Sequence, residues 1–437
     1  MLNTLENHWK IEEGILKKIK ISEFEDFVPN KRISIMEIKN KKILPEWAKS
    51  KSKIFIPGYS PKFKENADAI LKVNNAEVSL LDINDNIYLN NFNRIIDSLL
   101  FEDYFKKKRP IFSRLPIPYY LIPFRHVLFR KFFYLRKKDP GFPSWPSDIS
   151  VELLRNLYIN AIKEKTKNKI PYIGFWPKGK FAICLTHDCD SSSSFKNIKK
   201  IRELEKRYGF NSSWNILSKK YKIDYKKLKQ LEKDGCEIGV HGYTHDASLA
   251  FLPRKEIERR INYSITKLSR FEVEGFRSPQ LKRNRRFLNI LANYFLYDTS
   301  VPNSEYKSSL AIRTGSCTLF PFFIENMVEI PLTMPQDFTL IYTMELSKNK
   351  ILKIWKEKID LIRELNGLVC LNTHPDDYLV GNDKYLEIYE KILKYLSKQD
   401  SWNVLPREIA EWWKERSHCK LKGKKIIGSN RAKIEYI

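Results

Sequence analysis

From about residue 178 onward, short apolar runs alternate with longer stretches in which apolar residues recur every three to four positions. The apolar runs predict strands at 181–186, 212–217, 237–241, 274–277, 295–299, 327–332 and 368–373. Between most of them the helical period predicts helices at 195–208, 224–234, 253–270, 283–294 and 349–366. In the first of these, Ile198, Ile201 and Leu204 share one face. Gly209, Gly235 and Gly367 stand where helices should stop. Further helices at 382–398 and 406–416 complete the region. Strands that alternate with helices imply an α/β fold, a parallel sheet closed or nearly closed into a barrel.

The first part of the chain has a different pattern. Ile33–Ile38, Lys53–Pro57 and Val78–Leu81 are short strand candidates, and 91–105 has helical periodicity, so residues 1–105 read as a smaller α+β region without a catalytic motif. Residues 106–177 form a connector rich in proline, aromatic and basic residues, with a loop at 140–146 and a helix at 148–166 leading into the barrel. The prolines around Pro123 argue against one continuous helix. The stretch 106–138 allows peripheral membrane contact through its aromatic and basic residues, or packing on the main domain. The barrel then occupies 178–416. The tail 417–437 is basic and expected to be weakly ordered.

In a parallel barrel, chemistry belongs at the C-terminal ends of the strands, and polar residues gather there. Asp188 and Asp190 follow the first strand, His241 and His245 the third, Arg277 ends the fourth, Asp298 the fifth and His374 the seventh. Two imidazoles four residues apart, with a carboxylate at the end of another parallel strand, make a three-ligand site that leaves room for water. This is the arrangement of a catalytic divalent metal, most often zinc. Each residue alone has a plainer reading. Asp-x-Asp before Ser191–Ser194 could be a helix cap, Arg277 could pair with a surface acid, and His374 could be a core histidine. Asp376 and Asp377 read as helix-start acids. Alternation along the strand points His187 away from Asp188, in a structural role.

Taken in order, Thr186-His-Asp-Cys-Asp190, His241-Gly-Tyr-Thr-His245, Phe276-Arg-Ser-Pro279, Asp298-Thr-Ser300 and Leu371-Asn-Thr-His-Pro375 resemble the motifs of the polysaccharide deacetylase family (NodB homology, carbohydrate esterase family 4). The resemblance implies a distorted (β/α)7 barrel and metal-dependent hydrolysis of N-acetyl groups on glycans. It implies His241, His245 and Asp190 as metal ligands, Asp188 as general base, Arg277 as the partner of that base, and His374 as general acid oriented by Asp298. It also implies that the backbone N–H of Gln280 holds the oxyanion. The family's first motif has adjacent aspartates, whereas here Cys189 separates them, so the exchange of roles between Asp188 and Asp190 stays open. Val301-Pro302 and Gln280 stand where the family commonly has aromatic residues, which implies a different substrate groove.

Composition narrows the functional classes further. An apolar content of 42% and an aromatic content of 13% over 437 residues describe a globular protein with room for more than one domain. The net charge of +27 comes from lysines spread along the whole chain rather than from a basic stripe, which argues against nucleic acid as the partner. The six cysteines include no Cys-x-x-Cys pair. The start of the chain lacks the basic and apolar blocks of a signal peptide, and no apolar run is long enough to span a bilayer. These features lead to an expected cytoplasmic setting and an N-acetylated glycan or glycan precursor as substrate. The alternatives are a hydrolase of a non-sugar C–N bond on the same barrel, or a non-catalytic glycan-binding barrel.

Overall fold

The computed structural model describes residues 2–19, 21–24, 29–38, 53–59, 69–73, 76–82, 87–90, 92–102, 148–166, 168–303 and 315–437. The interfacial or connector reading of 106–138 and the loop at 140–146 lie outside these residues.

The N-terminal region is α+β. Its strands are β1 (Ile21–Phe24), β2 (Pro29–Ile38), β3 (Lys53–Tyr59), β4 (Ala69–Val73), β5 (Ala76–Asp82) and β6 (Ile87–Asn90), in the sheet order β1-β6-β5-β4-β2-β3. Short helices Leu5–Trp9 and Glu13–Lys18 precede the sheet and helix Phe92–Leu100 follows it. Ile95, Ile96 and Leu99 line one face of the last helix and are fully buried in the same core as the barrel. The two regions are also tied by polar contacts. Arg283 donates to Glu102 at 2.6 and 3.0 Å, Trp9 Nε1 to Arg155 O at 2.8 Å, and Arg416 to His8 O at 2.8 Å.

After the buried helix Ser150–Thr166 and the short strand β7 (Pro171–Ile173) comes the main α/β unit. Its strands are β8 (Phe181–Cys189), β9 (Ser212–Ile216), β10 (Glu237–Val240), β11 (Gly275–Phe276), β12 (Tyr297–Asp298), β13 (Phe322–Ile324), β14 (Met327–Glu329), β15 (Leu368–Thr373) and β16 (Ser401–Asn403). The sheet order is β13-β14-β12-β11-β10-β9-β8-β15, with β16 beside the start of β8, and all pairs are parallel except β13–β14. The sheet curls towards closure. Beyond β14 the chain crosses to β15, where Thr333 Oγ1 donates to Leu368 O at 2.6 Å, Cys370 N donates to Thr333 Oγ1 at 2.9 Å, and Met334 N donates to Cys370 O at 3.1 Å.

Helices Ser192–Arg207, Tyr225–Lys233, Arg254–Lys267, Arg285–Leu291, Lys348–Glu364, Asp383–Leu396 and Pro406–His418 lie between or after the strands, close to their sequence-based positions. Strands β8, β9, β10 and β15 are buried at every position, as expected of a parallel sheet covered on both faces.

The tail is more ordered than its composition suggests. Strands β17 (Lys420–Lys422) and β18 (Lys425–Ile427) form a hairpin, and β19 (Ile434–Tyr436) pairs antiparallel with β7. Leu421 and Cys419 are buried against Ile173, so a few apolar positions among the lysines anchor it. No helix among the described residues is long and apolar enough to cross a membrane. The six cysteines are buried and form no disulfide.

Candidate active site

Strand β8 supplies both aspartates, and its alternation decides where they point. Residues two apart on a strand share a face, so Asp188 and Asp190 both face the site. His187 and Cys189 face the other way and are fully buried. His187 is held there by Glu205 at 2.7 Å and Thr373 Oγ1 at 2.9 Å, which is a structural role. The cysteine between the aspartates therefore keeps the two carboxylates together. Ser191 then caps helix Ser192–Arg207. Asp376 accepts hydrogen bonds from Ser191, Ser193 and Ser194 at the start of that helix, and Asp377 accepts from Asn197. These two acids thus serve a helix start, though not that of the helix that follows them in sequence.

The structure brings Asp190, His241 and His245 together, with one ligand atom from each lying within 4.8 Å of the others. His241 Nε2 is 3.0 Å from Asp190 Oδ1, and His245 Nε2 is 3.3 Å from Asp190 Oδ2. His241 Nδ1 lies 3.0 Å from the carbonyl of Arg277, so it must carry the proton, leaving Nε2 as a lone-pair donor. Asp190 Oδ1 and His241 Nε2 are buried without a hydrogen-bond partner despite their proximity. Two lone-pair atoms converging in this way suit a shared cation, so the residues present fit a divalent metal. Burial alone would raise the carboxyl pKa of Asp190, but His245 and His241 outweigh burial and hold it well below the usual carboxylate range. Burial lowers His245 to about 4, which favours the neutral, ligating imidazole.

Asp188 is the hub of a second cluster. Asn215 Nδ2 donates to its Oδ1 at 2.9 Å, Asn372 Nδ2 to its Oδ2 at 2.8 Å, and Arg277 approaches Oδ2 at 3.4 Å. Arg277 is completely buried and is itself fixed by Thr299 Oγ1 at 2.7 Å and Thr186 Oγ1 at 3.0 Å. Burial disfavours the Asp188 carboxylate, but Arg277, together with His241 and His374, outweighs it and lowers its pKa. The sequence reading missed Asn215 and Asn372. They are the cross-strand neighbours of Asp188 and Thr186, and Asn372 lies inside the motif that carries His374. Gly239 makes the first contact possible, because a Cβ there would come within 2.5 Å of Asn215 Oδ1.

His374, at the end of β15, points its Nε2 between the aspartates, 3.9 Å from Asp188 Oδ2 and 4.0 Å from Asp190 Oδ2. Its other ring nitrogen does not meet Asp298. Asp337 takes that place, with Oδ1 2.6 Å from His374 Nδ1 and Oδ2 accepting the His374 backbone N–H at 2.9 Å. The cause is topological, because the chain crosses from β14 to β15 and delivers Asp337 to the end of β15. Asp298, on β12, is turned to Ser300, whose Oγ and N lie at 2.7 and 3.0 Å. Its strand neighbour is Glu329, and burial raises both carboxyls. Burial would lower His374, but Asp337, with help from Asp190 and Asp188, raises it to about 10. Asp337 lies well beyond the end of β14, so no strand-end signal marked it in the sequence.

Gln280 lies in the tight turn Pro279–Leu281 with φ of +54°. The N–H groups of Leu281 and Lys282 are used by Ser278 O and Pro279 O.

The match to a known family agrees with this geometry: residues 177–296 fit the polysaccharide deacetylase family model. No curated protein matches the chain. Among solved structures, an allantoinase is 13% identical over 55% of this chain and 93% of its own, with a TM-score of 0.45. A single-site mutant of the peptidoglycan deacetylase PdaC of Bacillus subtilis is 18% identical over 55% and 94%, with a TM-score of 0.36. A pseudoenzyme of carbohydrate esterase family 4 from Bacillus anthracis is 15% identical over 54% and 66%, with a TM-score of 0.37.

Proposed function

We propose that this chain, whose residues 177–296 carry a polysaccharide deacetylase domain, is a metal-dependent hydrolase that removes N-acetyl groups from a sugar or polysaccharide. The observation that carries the reading is the convergence of two clusters. The three candidate ligands sit within 4.8 Å of one another, and an aspartate and a histidine 3.9 Å apart lie beside them.

Asp190, His241 and His245 would hold a divalent ion, with zinc the first choice for one carboxylate and two imidazoles. When bound, such an ion supplies a water of lowered pKa and polarises the amide carbonyl. Asp188 takes a proton from the attacking water. Arg277, Asn215 and Asn372 fix its orientation and keep it ionised until then. The N–H of Gln280 receives the carbonyl oxygen as it gains charge. His374 gives its Nε2 proton to the departing nitrogen, so the C–N bond breaks to acetate and an amine. Asp337 orients His374 and keeps it protonated.

Acetate release from N-acetylglucosamine oligomers by the zinc-loaded protein tests the proposal. Asp188→Asn and His374→Gln should each cost on the order of 10² to 10⁴ in rate. A protein that holds zinc stoichiometrically yet releases no acetate from a broad panel of N-acetylated sugars would overturn it.

A further inference from the structure

We propose that Phe338, Tyr342 and Tyr378 form an aromatic subsite that stacks on a sugar ring of the substrate, beside the ring whose amide is cleaved. This inference rests on the deacetylase reading above.

Asp337, the residue that holds His374, also accepts the N–H of Phe338 at 2.8 Å and so starts a π-helical turn, Phe338–Thr343. Such turns are rare and recur at functional sites. Phe338 and Tyr342 stack with ring centroids 5.1 Å apart and planes 26° apart. Tyr378, four residues after His374, meets Tyr342 edge-on at 5.8 Å and 67°. The cluster touches the catalytic region directly, since the Phe338 ring is 6.2 Å from that of His374.

Rings packed only as core would be covered. Instead, Phe338 and Tyr342 are partly buried and Tyr378 is 49% exposed. A ring that packs edge-on against the cluster beside His374 while half its surface stays in water offers a face to a ligand.

The chemistry of the rim selects what that is. A pyranose offers a face of C–H groups to an aromatic ring and hydroxyls around its edge, which suits a half-exposed ring such as Tyr378. The acidic surroundings disfavour an anionic ligand.

Isothermal titration of the zinc-loaded Asp188→Asn protein with the tetramer and the monomer of N-acetylglucosamine tests this without turnover. Adding Tyr378→Ala should weaken tetramer binding about fivefold, the scale of one aromatic contact, and leave monomer binding unchanged. Adding Tyr378→Phe, which keeps the ring, should retain tetramer binding. Unchanged tetramer binding in Tyr378→Ala, equal losses for tetramer and monomer, or no tetramer binding before the substitution would each overturn the subsite. Acetate release is measured separately on the protein with Asp188 intact, so a failed subsite and a failed deacetylase reading give different results.

Discussion

Replacing Glu237 by glutamine should change the pH dependence of stability in a way the structure quantifies. Glu237 begins β10, the strand that ends at His241, and it is buried. Tyr297 on β12 donates to its Oε1 at 2.7 Å by lying across β11. Gly275 permits this, because a Cβ there would be 2.0 Å from the Tyr297 ring. The other carboxylate oxygen takes only a long 3.3 Å bond from Arg407 N. Burial therefore wins, and the carboxyl rises from its ordinary 4.5 to about 7. The folded state keeps a proton that the unfolded chain releases, so stability falls as pH rises from 4.5 to 7 and is level above. The gap corresponds to about 3 kcal/mol. Glutamine keeps the Tyr297 contact through its carbonyl but loses the Arg407 bond, worth about 1 kcal/mol. Glu237→Gln should thus be about 1 kcal/mol less stable than wild type near pH 4.5 and about 2 kcal/mol more stable at about pH 8. Urea unfolding at both pH values checks this. Parallel stability curves for the two proteins would refute the reasoning.

The remaining predictions concern the site. Asp190→Ala and His241→Ala should both lose stoichiometric zinc, as read by elemental analysis, while Asp188→Asn retains it; metal retained in Asp190→Ala would reverse the roles of the aspartates. In Asp337→Asn, His374 should fall from about 10 towards its ordinary value, so the alkaline limb of the kcat–pH profile should move to lower pH; an unmoved limb would remove Asp337 from the mechanism. Gly239→Ala should displace Asn215 from Asp188 and lower activity about tenfold, the scale of one hydrogen bond to a charged group, with zinc content intact. Wild-type activity in that folded variant would show the Asn215 contact to be dispensable.

The barrel was legible because each strand is short, apolar and followed by a helix with a clear stop, so local pattern and global topology agree. The convergence of Asp190, His241 and His245 followed from a rule about strand ends. Long-range placement was not legible. Asp298 carries a motif and also ends a strand, so the family resemblance assigned it the partnership with His374. It could not show that the chain after β14 crosses the open side of the sheet and sets Asp337 there instead. The asparagines around Asp188 went unnoticed because an amide carries no signal until its neighbour across the sheet is known. The tail was misjudged because its lysines mask the few apolar positions that pair and pack.

Asp298 nevertheless bears on the chemistry, by a route its motif does not reveal. Its carboxyl group is raised by burial and lies beside the raised Glu329, and two buried carboxyls this close hold a proton between them rather than two charges. That arrangement anchors the turn after β12. Glu329 accepts the N–H of Val301 at 2.8 Å, and Asp298 accepts both the N–H and the hydroxyl of Ser300. The anchored turn then works on the site from two sides. Thr299 fixes Arg277 at 2.7 Å, and so the charge beside Asp188, while Ser300 Oγ accepts the N–H of Ser278 at 2.8 Å and sets the turn that carries Gln280. A pair that shares a proton is suited to this task, because it brings one negative charge rather than two to a site that already contains Asp188 and Asp190. The carboxylates around the barrel mouth are thereby divided by environment: Asp188 beside Arg277 and Asp190 beside the histidines are favoured in the charged form, and Asp298 and Glu329, facing each other, share a proton and hold the frame.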